Sequence, residues 1–267
     1  MLPITRDTME ISSVPQSAIE RALGLQRELD ETLAGRVVAT PWGAALYHDG
    51  YPRVTDLNVL VVYRNAESLD AATLLEEAEE LQANLPHRAI RVDDPVAAAR
   101  LAPEFAGRGW IVSRTALMTL RRHPDRPLST SGVTEVDLDR VRDARHAAIR
   151  RVHRDLDVAA EAVEVGGLQH PDAPVRAYAA IVGNEVASYC LLRTRGGGAK
   201  LVEVEALARS QGHGVGRAVI WAVASAARRE RLNPIFVECE HSDWAKTVYR
   251  RLGFDEAGVV HRFVRPW

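Results

Sequence analysis

The chain has 267 residues, 46% hydrophobic and 26% charged, an ordinary globular balance with length enough for two medium domains. Its 34 Lys and Arg against 36 Asp and Glu leave a formal net charge of −2, so no overall charge excess draws it to nucleic acid or to an anionic membrane surface. Two cysteines, Cys190 and Cys239, lack neighbours at metal-ligand spacing, and no stretch has the length of a signal peptide's apolar region or a membrane span. The expectation is a soluble cytoplasmic protein with no metal site.

In the first half, apolar periodicity predicts a helix over 17–33, strand-like runs over 37–48 and 57–63, a helix over 71–83, a strand over 88–93, a helix over 95–105 and a strand over 110–121. The segment HPDRPLSTSG, 123–132, reads as a linker and divides the chain into units 1–125 and 133–267. Beyond it follow a strand at 133–136, a helix at 138–152 and an irregular stretch at 153–174. Two strands, 176–182 and 185–193, flank a turn at Gly183 and Asn184, and another strand occupies 201–207. A helix to about 229, a strand at 234–240, a helix at 242–252 and a strand at 254–264 complete the chain. This order describes an α/β protein of the α+β kind, with helices packed on a mixed sheet. YRRLGF, 249–254, and FAGRGW, 105–110, each lie between a helix and a strand, so the halves read as an internal repeat of one fold.

The segment RSQGHGVGRAV, 209–219, stands where the last long helix should start. A strand, then Gln211-x-x-Gly214-x-Gly216, then a helix presents unpaired backbone N–H groups at the positive end of a helix dipole, an arrangement that binds phosphate. Gly212, Gly214 and Gly216 let the backbone approach the anion without intervening Cβ atoms. No Lys-Ser/Thr pair follows, which argues against a nucleoside triphosphate loop, and the preceding hairpins argue against a dinucleotide fold.

These residues resemble the GNAT superfamily of acyl-CoA-dependent N-acyltransferases over about 133–267. Gln211, Gly214 and Gly216 meet its Arg/Gln-x-x-Gly-x-Gly/Ala signature, and Ala245, Tyr249, Gly253 and Phe254 meet a second one. The tail DWAKTVYRRLGFDEAGVVHRFVRP is also similar to an actinobacterial-type branch in which two GNAT-like halves are fused. The resemblance implies acetyl-CoA as acyl donor, with pyrophosphate on the glycine loop and pantetheine between two parting strands. Carried over, the cofactor contacts are Ala206, Leu207, Gln211, Gly212, His213, Gly214, Val215, Gly216 and Arg217, with Ser242 in place of a pantetheine-holding asparagine.

For the chemistry, the resemblance places Tyr249 beside the thioester sulfur as the acid, and its ordinary pKa of about 10 keeps it protonated. Glu203 and Glu205, two residues apart on one strand, are the candidate bases, with His241 a further candidate. The oxyanion is expected at backbone N–H groups near Ala206 and Leu207. In the first half Phe105 stands where Tyr249 does and RNAESLD contains no glycine, so that half is expected to be a shortened, degenerate copy that shapes the acceptor pocket or stabilises the active half. Asp56 and Asn58 are candidates to reach that pocket, and Asp155, Asp157 and Glu161 to attract a cationic acceptor. The expected activity is acetylation of a small-molecule primary amine by a monomer; a protein amine as acceptor and a non-catalytic acyl-CoA-binding module are the alternatives.

Overall fold

The computed structural model describes residues 17–153, 155–207 and 214–266. The first half contains α1 (Ala18–Leu33), β1 (Arg36–Thr40), β2 (Gly43–Tyr47), β3 (Val59–Val62), a 3-10 turn at Ala66–Ser68, α2 (Ala71–Leu81), β4 (Arg88–Val92), α3 (Pro95–Gly107) and β5 (Ile111–Leu120). Local signals set the helix starts. Ser17 and Glu20 close a capping box on α1, and Asp94 caps α3, whose first residue is Pro95.

The second half contains β6 (Val133–Val136), α4 (Leu138–Val152), α5 (Leu156–Gly166), β7 (Val175–Val182), β8 (Glu185–Arg195), β9 (Gly198–Ala206), α6 (Val215–Arg229), β10 (Ile235–Glu240), α7 (Ala245–Arg251) and β11 (Phe254–Arg265). Two expectations change. The run at 37–48 is a hairpin, β1 and β2, because Pro41 and Trp42 make the turn between paired Thr40 and Gly43. The stretch at 153–174 is not irregular throughout: Asp155 accepts from the N–H groups of Asp157 and Val158, and this cap starts α5.

Among the described residues eleven strands form one sheet in the order β1-β2-β3-β4-β11-β5-β10-β9-β8-β7-β6. The two halves exchange their last strands: β5 pairs antiparallel with β10, and β11 pairs antiparallel with β4. β5 and β11 pair with each other at the centre, where Thr115 faces Val260. Gly109 and Gly253, at matching positions of the repeated segment, both adopt positive φ, 79° and 92°. The repeat is therefore a backbone repeat as well as one of residue types.

One face of the sheet carries α2, α3, α6 and α7 over two apolar clusters. The opposite face carries α1, whose buried Leu25 and Leu29 lie in one cluster with Leu117, Phe236 and Val260, and α4, packed on Tyr189 and Leu191. Each such fully buried leucine contributes about 1.5–3 kcal/mol of transfer free energy. The segment before the first repeat strand, α1, thus lies on the exchanged strands of both halves.

Candidate active site

The site begins where two parallel strands part. β9 and β10 pair only from Ala199 opposite Ile235 to Leu201 opposite Val237. Past that point β9 stays with β8, and the Leu207 N–H donates to the Ala187 carbonyl at 3.0 Å. β10 stays with β5, and the His241 N–H donates to the Arg114 carbonyl at 2.8 Å. A wedge opens between them. In the first half the matching parallel pair, β3 and β4, stays closed, and the Asp93 N–H extends it by donating to the Val62 carbonyl.

β9 carries a bulge just past the point of parting. Tyr189 faces Glu205 and Leu191 faces Val202, so Glu203 and Val204 together oppose Cys190, and Glu203 takes a left-handed φ of 47°. Arg145 of α4 holds the bulge: its Nε reaches Glu203 Oε2 at 2.6 Å and one Nη reaches Oε1 at 2.8 Å. The same guanidinium donates to the Val163 carbonyl of α5. Arg145 is 4% exposed, so one buried side chain fixes the strand, α4 and α5 together.

Two cavities meet at the wedge. One, of about 700 Å³, lies between the end of β9, the start of α6 and α7, and includes Ala206, Gly214, Gly216, Arg217 and Trp244 in its walls. The other, of about 540 Å³, lies on the α1 and α4 side and is walled by both halves. Val204, Asp243, Ala245 and Tyr249 belong to both walls. The Tyr249 ring is 6% exposed, and burial, with Cys190, Cys239 and Asp243 nearby, pushes its hydroxyl pKa well above the ordinary value.

The first cavity fits a phosphate-bearing ligand. Gly214 caps α6 with φ 78° and, among the described residues, no side-chain cap closes the helix start, while the Arg217 guanidinium lies over Gly214. In the first half the matching helix, α2, is closed by its own Asp70 carboxylate, which accepts from the Thr73 N–H at 2.8 Å and would repel an anion. Gly216 serves packing: a Cβ there would stand 3.2 Å from the Ala206 Cβ. Gln211, Gly212 and His213 lie outside the described residues.

Several sequence-derived candidates are placed elsewhere. Leu207 packs on the α4 side and its N–H is spent on β8, so it offers no donor to an oxyanion. Val215 packs into the α6 core, and Ser242 donates to Glu240 at 2.9 Å away from both cavities, whose wall includes its neighbour Asp243. His241 faces Lys246 and Glu256. Glu203 is held by Arg145, and Glu205 pairs with Arg151 at 2.8 Å and borders only the first cavity. Asp157 and Glu161 of α5 bind Arg53 of the β2–β3 loop, and Asn58 is buried, bonding the Tyr51 and Val54 carbonyls; Asp56 does reach the second cavity.

Sequence reasoning missed the wall of that second cavity. Lys200 of β9 donates to Glu238 of β10 at 2.7 Å and to Gln26 of α1 at 2.6 Å; Gln26 donates to Asp30 at 2.6 Å; Arg91 of β4 donates to Asp30 at 2.5 Å and to Asp93 at 2.9 Å. This unbroken polar chain crosses from one half to the other. Burial alone would raise the Glu238 carboxyl, but Lys200, Arg262 and Arg91 hold it below the usual carboxylate range, so it is ionised. The alternation in PIFVECE, with a glutamate among inward-facing apolar residues, was the available signal.

Among the described residues no group of His, Cys, Asp and Glu could hold a metal ion, and no helix is long and apolar enough to cross a membrane. Residues 139–254 match the family described as Acetyltransferase (GNAT) family. No curated protein sequence matches the chain. Among solved structures, a GCN5-related N-acetyltransferase from Kribbella flavida superposes with a TM-score of 0.63 at 16% identity, over 93% of this chain and 94% of that one. A functionally unknown conserved protein from Staphylococcus epidermidis gives 0.66 at 14%, over 87% and 94%. A tandem GNAT protein from the clavulanic acid biosynthesis pathway gives 0.53 at 14%, over 93% and 94%. At such identities the likeness is one of fold, and it spans both halves. Residues 139–254 thus match the acetyltransferase (GNAT) family, and the whole chain has the fold of a tandem GNAT protein, with the helix start of its first half closed by Asp70.

Proposed function

We propose that the chain transfers the acetyl group of acetyl-CoA to the primary amine of a small molecule, with the donor in the 700 Å³ cavity and the acceptor in the 540 Å³ cavity. The observation that carries this reading is that the two cavities share Tyr249 at the strand wedge. The thioester supplies an activated acyl carbon. Gly214 and Arg217 at the start of α6 receive the donor's pyrophosphate, with Gly216 and Ala206 packed behind. Glu238, placed on β10 beside the wedge with Oε2 held by Lys200, takes the proton of the attacking amine at Oε1. As the new C–N bond forms and the C–S bond breaks, the Tyr249 hydroxyl gives its proton to the departing sulfur. In this reading Glu203 positions the strand and Glu205 stays on the donor side.

A small acceptor is favoured because α1 and the β2–β3 loop roof the second cavity, and Arg53 ties that loop to α5. The test is free-thiol release from acetyl-CoA with an amine panel, together with calorimetric titration of acetyl-CoA. One site per chain and amine-dependent release are expected. Binding without release from any amine would refute the enzymatic reading in favour of a binding module, and two sites would refute the closed first half.

A further inference from the structure

The acceptor cavity is lined by charges of both signs in a fixed order. Glu238 pairs across the sheet with Leu117, two positions past the central Thr115, and Arg91 pairs with Arg262, two positions past the central Val260. Around the pseudo-two-fold of the exchanged strands, Glu238 and Arg91 therefore hold equivalent positions, one anionic and one cationic. Both belong to the wall of the same cavity.

The bonding along the polar chain leaves capacity of matching kind. Lys200 uses two of its three donors. Arg91 is 3% exposed, yet its Nη2 is buried with no hydrogen-bond partner. An unsatisfied guanidinium donor in a protein interior is costly, and an anionic oxygen is the partner that relieves it best. Glu238 keeps Oε1 for an ammonium or amine.

Resting on the acetyl-transfer reading above, we infer that the acceptor is an amino-acid-like zwitterion, its amine held at Glu238 and its carboxylate taken by Lys200 and Arg91. This excludes simple alkylamines and polyamines as the preferred acceptors. It also disfavours a protein lysine, which brings no carboxylate of its own.

The experiment compares matched acceptor pairs on the intact protein: glycine with glycinamide, β-alanine with its amide, and lysine with cadaverine, each expressed per concentration of unprotonated amine. The carboxylated member should have kcat/KM higher by between about tenfold and a hundredfold, the span of a charge-assisted contact. In Arg91→Gln and, independently, Lys200→Met, the preference should shrink through a raised KM for the carboxylated member. A ratio near one, or preference for amides or cadaverine, overturns the inference while leaving acetyl transfer standing. Thiol release from no acceptor at all overturns both.

Discussion

Replacing Arg145 with methionine separates the two roles that the carboxylate of Glu203 could have. In the folded protein that carboxylate receives two guanidinium bonds, of 2.6 and 2.8 Å, from a side chain that is 4% exposed. Removing one partner of a buried ion pair costs about 3–5 kcal/mol, and because the Glu203 side chain borders a cavity and is 16% exposed, the expected loss is about 2–4 kcal/mol. Glu203→Gln keeps one acceptor for Arg145 and should cost about 1 kcal/mol. The Arg145→Met, Glu203→Gln double variant should be less destabilised than the two single losses added, because the methionine then faces a neutral amide. Urea unfolding gives the free energies, and steady-state kinetics gives kcat. If Glu203 only positions the bulge, kcat in Glu203→Gln stays within about tenfold of the parent. A fall of about a thousandfold or more at unchanged acetyl-CoA affinity and near-parent stability would identify Glu203 as the base and refute the assignment to Glu238.

Tyr249→Phe should lower kcat about a hundredfold or more while leaving calorimetric acetyl-CoA affinity unchanged. Because burial raises the Tyr249 pKa, the protonated acid persists into alkaline solution; kcat/KM should rise with pH as the amine deprotonates and show no descending limb near the ordinary tyrosine pKa of about 10. A limb there would place the hydroxyl in water. Gly214→Val forces a β-branched residue into φ 78° and should weaken acetyl-CoA binding more than folding, read by calorimetry against thermal unfolding. Asp70→Ala should cost about 1 kcal/mol of stability as a lost helix cap and leave acetyl-CoA stoichiometry at one per chain.

Apolar periodicity and turn residues made most elements legible: the helices that Ser17, Asp70 and Asp94 cap start within one residue of where periodicity places them, and the turn at Gly183 and Asn184 is present. The helix α5 escaped notice because its short run, LDVAAEAVEVG, has apolar residues on too many sides for a 3.6-residue period to stand out. The repeat was visible in FAGRGW and YRRLGF, but the strand exchange was not. β4 and β10 could each have kept its own half's last strand, and only long-range packing selects the partner. The site divided along the same line. Tyr249 and Gly214 sit in motifs whose local geometry is set within a few residues. Glu203 changed meaning because a bulge and a helix distant in sequence capture it, and Glu238 acquired one because the strands part beside it.

The exchange of β5 and β11 also orders the events of biosynthesis. β11 leaves the ribosome after every other strand of the sheet, yet its place is in the middle, between β4 and β5. Until it arrives, β4 and one side of β5 are open edges, the kind of exposed backbone that pairs with other chains. The central pairing of the sheet and Arg262 in the wall of the second cavity both wait on β11. Loss of β11 would therefore expose the sheet along its centre, where an ordinary open sheet that loses its last strand would lose only its rim.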